Sequence, residues 1–128
     1  MTLRLRRLLV LLPSAGLGGA EAHTATLARD LAAAGVAVTL AIAPALVADF
    51  SRMLGPGFAT RLHAAEIDWR VDASPAANIA RQARIGAGLV AAVAPDAVLL
   101  PLPWPSCMVW VWSRLSMPPK WPWSITWV

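Results

Sequence analysis

The residues best suited to chemistry lie together near the N-terminus: Gly16, Gly18, Gly19, Glu21 and His23. Three glycines in four positions present bare backbone, able to take positive φ and to come close to a ligand. They follow the apolar run Leu-Leu-Val-Leu-Leu at 8–12 and precede a helical pattern over 20–34. A helix start leaves its first amides unpaired and carries partial positive charge, so an anion is favoured there. The chemistry this predicts is the cradling of a phosphate or sugar phosphate. The competing use of the same residues is a tight turn that lets a helix pack on a sheet. Glu21 falls in the first helical turn, where it either complements the helix dipole from the surface or helps shape the turn. His23 is either a solvated residue or a contact for a ligand held at the turn.

The turn fails two stricter tests. It is not the dinucleotide fingerprint G-x-G-x-x-G, because position 21 is Glu, and 41–45 carries no acidic residue to hold a ribose. It is not a Walker loop, having no Gly-Lys-Ser/Thr. Elsewhere the candidates are weaker. His63 reads as a strand residue, Asp68 and Asp72 beside Trp69 as loop solvation, and Arg81 and Arg84 as a solvated helix face, with Gln82 between them near the middle of that helix. No Ser/His/Asp or Cys/His arrangement has a positional logic. Cys107 is the single cysteine, which excludes an internal disulfide. With two histidines besides, no structural zinc set is expected, and no metal or bound cofactor is implied.

The elements that must position the turn follow from periodicity. Residues 7–12 form a buried strand, apolar on both faces as in parallel sheets. The helix from Ala20 carries Thr24, Leu27, Ala28 and Leu31 on one stripe, with Glu21, Arg29 and Asp30 elsewhere on the wheel, and Gly35 ends it. Residues 36–43 form a second strand, closing a β-α-β unit. A short helix over 45–54 turns Leu46, Val47, Phe50 and Leu54 inward, and Gly55-Pro56-Gly57 makes a turn. A weak strand spans 61–67 and a loop 68–74. Ser74 at the N-cap and Pro75 at N1 open a helix that runs to about Val93, with Ile79, Ala83, Gly86, Val90 and Val93 on one face. A fourth strand covers 97–102. This alternation predicts an α/β fold, a parallel sheet with helices on both faces.

Composition narrows the partners. The 128 residues are 58% hydrophobic with a net charge of +4, enough apolar surface for one core. The basic residues are scattered apart from Arg4, Arg6 and Arg7, with no basic face interleaved with aromatics, so no nucleic-acid partner is expected. The N-terminal arginines before an apolar run, with Ala20-Glu21-Ala22 behind, outline a secretory signal. Pro13 cuts that run to five residues, and the glycine-rich turn argues against it. No stretch reaches the roughly eighteen unbroken apolar residues of a membrane span.

At Gly18-Gly19-Ala20-Glu21, followed by Leu27-Ala28, Leu31 and Gly35-Val36-Ala37-Val38, the chain resembles the start of a family 4-type glycosyltransferase. The likeness extends more loosely through Pro95-Asp96-Ala97-Val98-Leu99-Leu100 and covers about residues 5–103. It implies a Rossmann-like N-terminal domain on the acceptor side, facing a second such domain across a cleft that binds a nucleotide sugar. The implied partners are that donor and an acceptor. The implied location is cytoplasmic, with a peripheral place at the inner membrane face as the alternative. Gly18 and Gly19 would lie near the donor diphosphate, and Glu21 and His23 are carried over by proximity. The paired-glutamate motif of the donor-binding half has no counterpart, because no acidic residue follows Asp96. The acceptor-side histidine or acidic residue at a later strand end is also missing.

After Pro103 the composition changes. Trp104, Trp110, Trp112, Trp121, Trp123 and Trp127 crowd into 104–128, and that stretch holds no alanine, glycine or acidic residue. Val109-Trp110-Val111-Trp112 alternates like a strand, while Pro118, Pro119 and Pro122 forbid a long helix. The division expected is therefore a partial domain over 1–103 and an irregular Trp/Pro-rich tail over 104–128, foreign to the fold. A shift of reading frame near 104–107 accounts for this in an Ala- and Arg-rich chain. Translating the downstream DNA in the other two frames tests it, and finding no strand-helix continuation in either contradicts it. Two further roles stay open at this level: a non-enzymatic phosphate-ligand module, and weak membrane-surface association through interfacial tryptophans.

Overall fold

A computed structural model describes residues 4–67, 74–101 and 126–127. The chain runs β1 (Arg7–Leu12), α1 (Gly19–Ala33), β2 (Ala37–Ile42), a 3-10 turn (Pro44–Leu46), α2 (Val47–Leu54) and a second 3-10 segment (Pro56–Arg61). It continues through β3 (Leu62–Ala64), α3 (Pro75–Val93) and β4 (Ala97–Leu100), with the two-residue β5 (Thr126–Trp127). The strands are parallel in the order β3-β2-β1-β4-β5. The fold is α/β and Rossmann-like, as the alternation of elements predicts.

Two clusters of buried side chains sandwich the sheet, and β1 feeds both. Leu8, Val10 and Leu12 pack with Ala25 and Ala28 of α1 and with Phe50 and Leu54 of α2. Leu9 and Leu11 point the other way and pack with Ala41, Val98 and Val90 of α3. Successive strand residues face opposite sides, so an unbroken apolar run supplies two cores at once. Helices α1 and α2 therefore cover one face and α3 the other.

The helix ends follow local chemistry. α1 stops in a Schellman motif: Gly35 has φ +93°, its amide donates to the Ala32 carbonyl at 3.0 Å, and the Val36 amide donates to Leu31 at 3.0 Å. α3 begins at Ser74, whose Oγ accepts from the Ala77 amide at 3.1 Å. It ends at Ala94 in the left-handed region, with φ +48°.

Several expectations are corrected. The weak strand is shorter than 61–67, so Glu66 lies beyond it. Pro56 starts a 3-10 segment rather than closing a simple turn. Arg81 leaves the expected solvated face, donating to the Glu66 carbonyl and to Asn78 Oδ1. Its neighbour Gln82 is buried at 4% exposure and donates to the Ile67 carbonyl at 2.9 Å. Gln82 and Arg81 thereby fasten the chain after β3 to α3. Arg84 is exposed, as expected. The strand expected over 97–102 ends at Leu100, with Pro101 beyond it, and the strand expected at 109–112 lies outside the described residues.

Asp96 has a part that its type and position did not announce. Its Oδ2 accepts from the backbone amides of Arg6 and Arg7, each at 2.8 Å, and its own amide donates to the Arg7 carbonyl at 2.9 Å. This clamps the start of β4 to the start of β1. The Arg7 amide first, then the Arg6 amide, holds the carboxyl below its ordinary value of 3.8, with the two guanidinium charges assisting and burial opposing. A carboxyl depressed in the folded state stabilises the fold above the ordinary aspartate range, and that contribution fades as pH falls through the range and on to the folded value. Asp96→Asn is thus expected to be less stable than the parent at neutral pH. The gap should close as acid is added below about pH 4. Urea titrations at several pH values check this, and a gap independent of pH contradicts it.

Candidate functional site

The turn between β1 and α1 starts with two buried residues. Pro13 and Ser14 lie inside, and the Ser14 amide donates to the Leu12 carbonyl at 2.9 Å. Residues 15–19 are exposed. Gly18 is the N-cap of α1, and the first intrahelical bond runs from the Ala22 amide to the Gly18 carbonyl at 3.0 Å. The amides of Gly19, Ala20 and Glu21 precede that bond, and a glycine N-cap has no side chain to offer them. The two long helices therefore differ. Ser74 closes the N-terminus of α3, while no side chain caps that of α1, whose first turn carries the Glu21 carboxylate.

The glycines do not serve the purpose their permissive backbone suggests. Among the described residues only Gly35 and Gly55 of the glycines take positive φ, and Gly18 is extended at φ −151°, ψ −161°. A Cβ added to Gly16 or Gly19 would meet nothing within 4 Å. At Gly18 it would meet Glu21 Oε2 at 3.1 Å. Gly18 thus makes room for a side chain of the same turn. Neither backbone conformation nor packing accounts for Gly16 and Gly19.

Glu21 is not on the polar side of α1. It is 7% exposed and sits on the stripe with Thr24, Ala25 and Ala28, so the surface-charge reading is overturned. Positions 21, 24, 25 and 28 share one helical face by spacing, and the first turn buries that face under the loop rather than against the sheet. Ser14 Oγ donates to Glu21 Oε1 across seven residues and also lies 3.0 Å from the Gly16 carbonyl. The hydroxyl has one proton, and a carboxylate is the stronger acceptor. Ser14 and Glu21 together tie the exit of β1 to the first turn of α1.

His23 is exposed and borders a cleft of about 360 Å³ with Ala20, Thr24, Leu27, Leu99 and Pro101. Its lining is mainly apolar, and Thr24 Oγ1 is already engaged with the Ala20 carbonyl at 2.7 Å. The place of this cleft follows from topology. From β1 the chain crosses by α1 to β2 on one side, and from β3 it crosses by α3 to β4 on the other. The direction of winding reverses between β1 and β4. In open parallel sheets the crevice beyond the carboxyl ends of two such strands is where ligands bind. The glycine turn leaves the end of β1 there, and Pro101 leaves the end of β4 there.

Gly16, Gly18, Gly19, Glu21 and His23 are therefore one neighbourhood. His63 is not in it: it is exposed on β3, two strands away from β1 at the sheet edge. Asp68, Trp69, Asp72 and Cys107 lie outside the described residues. Among the described residues no cluster of three His, Cys, Asp or Glu could hold a metal ion, and no helix is long and apolar enough to cross a membrane. Sequence reasoning missed Ser14, whose only signal was a hydroxyl between the strand end and the glycines. No protein-family model, no curated protein and no solved structure matches this chain.

Proposed function

We propose that this chain is the acceptor-side, Rossmann-like domain of a glycosyltransferase, its glycine turn holding the diphosphate of a nucleotide-sugar donor. The observation that carries this reading is the pair Gly16 and Gly19. Both have ordinary φ, both are exposed, and a Cβ placed on either would have no atom within 4 Å. Bare backbone without a conformational or packing cause is what a close-approaching ligand requires. The open amides of Gly19 and Ala20, placed at the strand-order reversal, supply donors for phosphate oxygens. The same donors stabilise charge that builds on a departing diphosphate. The wording Gly18-Gly19-Ala20-Glu21 narrows the ligand class from any phosphate to a nucleotide sugar.

In that family a paired-glutamate motif contributes to donor binding, and this sequence has none. The 128-residue chain is accordingly expected to bind without transferring sugar. Thermal unfolding of the whole chain with rising uridine diphosphate tests the reading. A midpoint that rises with the logarithm of ligand concentration is expected, reaching about 2.7 kcal/mol of stabilisation at a hundredfold excess over Kd. Uridine alone should give none. Equal stabilisation by inorganic diphosphate would indicate a simple phosphate-binding module, and no response to either would remove the reading.

A further inference from the structure

Ser14 uses only half of Glu21. A glutamine at position 21 would accept the Ser14 hydroxyl as well, so the tie across the turn does not itself call for a carboxylate. The second oxygen, Oε2, is where the carboxylate matters. It belongs to a residue only 7% exposed, has no hydrogen-bond partner among the described residues, and faces the space that Gly18 keeps clear at 3.1 Å. A buried carboxylate oxygen without a donor is costly, and the cost is recovered only when a donor arrives. Phosphate oxygens are acceptors and carry negative charge, so they cannot fill this role. A hydroxyl can.

We propose that Glu21 is a specificity-determining residue whose Oε2 accepts a ring hydroxyl of a sugar phosphate while the Gly19 and Ala20 amides hold its phosphate. This rests on the glycine turn being a phosphate site. The site then combines donors for an anion with one buried acceptor beside them, a pairing that fits a polyhydroxylated phosphate ester. A site built to bond a hydroxyl discriminates strongly against an analogue lacking it, because its own polar group is left unpaired.

Two probes of equal charge separate the contributions: glucose 1-phosphate, and methyl phosphate, which lacks the ring hydroxyls. Kd values are measured by calorimetry on the full chain, its Glu21→Gln form and its Gly18→Ala form, with circular dichroism confirming the fold. The parent should prefer glucose 1-phosphate. In Glu21→Gln that preference should drop by about tenfold or more, with methyl phosphate binding unchanged or tighter. Gly18→Ala keeps the carboxylate but fills the space before Oε2, and should lower the same preference even if Glu21→Gln fails to fold. Equal changes for both ligands in either folded variant would overturn the role of Glu21, leaving a charge or shape effect on the turn. Failure of the parent to bind either probe would instead overturn the phosphate site beneath it, and this role with it.

Discussion

Replacing Gly16 or Gly19 by valine is expected to weaken binding of a nucleoside diphosphate by about tenfold or more, or about 1.4 kcal/mol. The folded state should hardly register the change. Both positions are exposed, take no positive φ and have no atom within 4 Å of the new Cβ. Surface substitutions of this kind stay within about 0.5 kcal/mol, which moves the midpoint of a domain this size by no more than about 4 °C. Gly18→Val should behave differently, because its Cβ starts 3.1 Å from Glu21 Oε2 and its γ-methyls add further bulk beside the carboxylate. It should lose both stability and affinity. Calorimetric titration alongside thermal melts separates the cases. If Gly16→Val and Gly19→Val bind as the parent does, their bareness serves no ligand. If they unfold, it serves packing after all.

The second large effect concerns the scaffold. Phe50→Ala is expected to cost about 3–5 kcal/mol. The ring is fully buried between α2 and the sheet, in the cluster with Leu12, Leu40, Ile42 and Leu46. Domains of this size have about 5–15 kcal/mol in all, so one truncation removes a large share. Urea denaturation of the two proteins gives the difference, with Leu17→Ala as a control at a side chain 53% exposed. A loss below about 1 kcal/mol would mean that α2 does not pack as described.

Much of this scaffold was legible in the residues because its signals are local. The run at 8–12 with turn residues behind it suits a strand buried on both faces, and it is the strand that feeds both cores. Ser74-Pro75 and Gly35 marked helix ends by cap chemistry that depends on near neighbours alone. What escaped were partnerships between distant residues. Asp96 shows no role beyond the end of the long helix until Arg6 and Arg7 are brought beside it by the β1–β4 pairing. Arg81 reads as solvent-facing until the chain after β3 passes over α3 and offers it the Glu66 carbonyl. Glu21 was set apart from the buried stripe because its charge outweighed its spacing, which puts 21 on one face with 24, 25 and 28. The position of the glycine turn was visible in sequence, but the reason for its glycines was not. Positive φ was the expected cause, and the structure removes it at all three positions.

The central claim is that the open N-terminus of α1 holds the phosphates of a nucleotide sugar. Amide-resolved NMR of the full chain, titrated with uridine diphosphate glucose, tests it most directly. The amides of Gly18, Gly19 and Ala20 should shift together along one saturable curve, with His23 following as the neighbour that lines the adjoining cleft. The Ala77 amide, already bonded to Ser74 at the start of α3, should stay still. Shifts of equal size at both helix starts, or none at Gly18, Gly19 and Ala20, would contradict the claim.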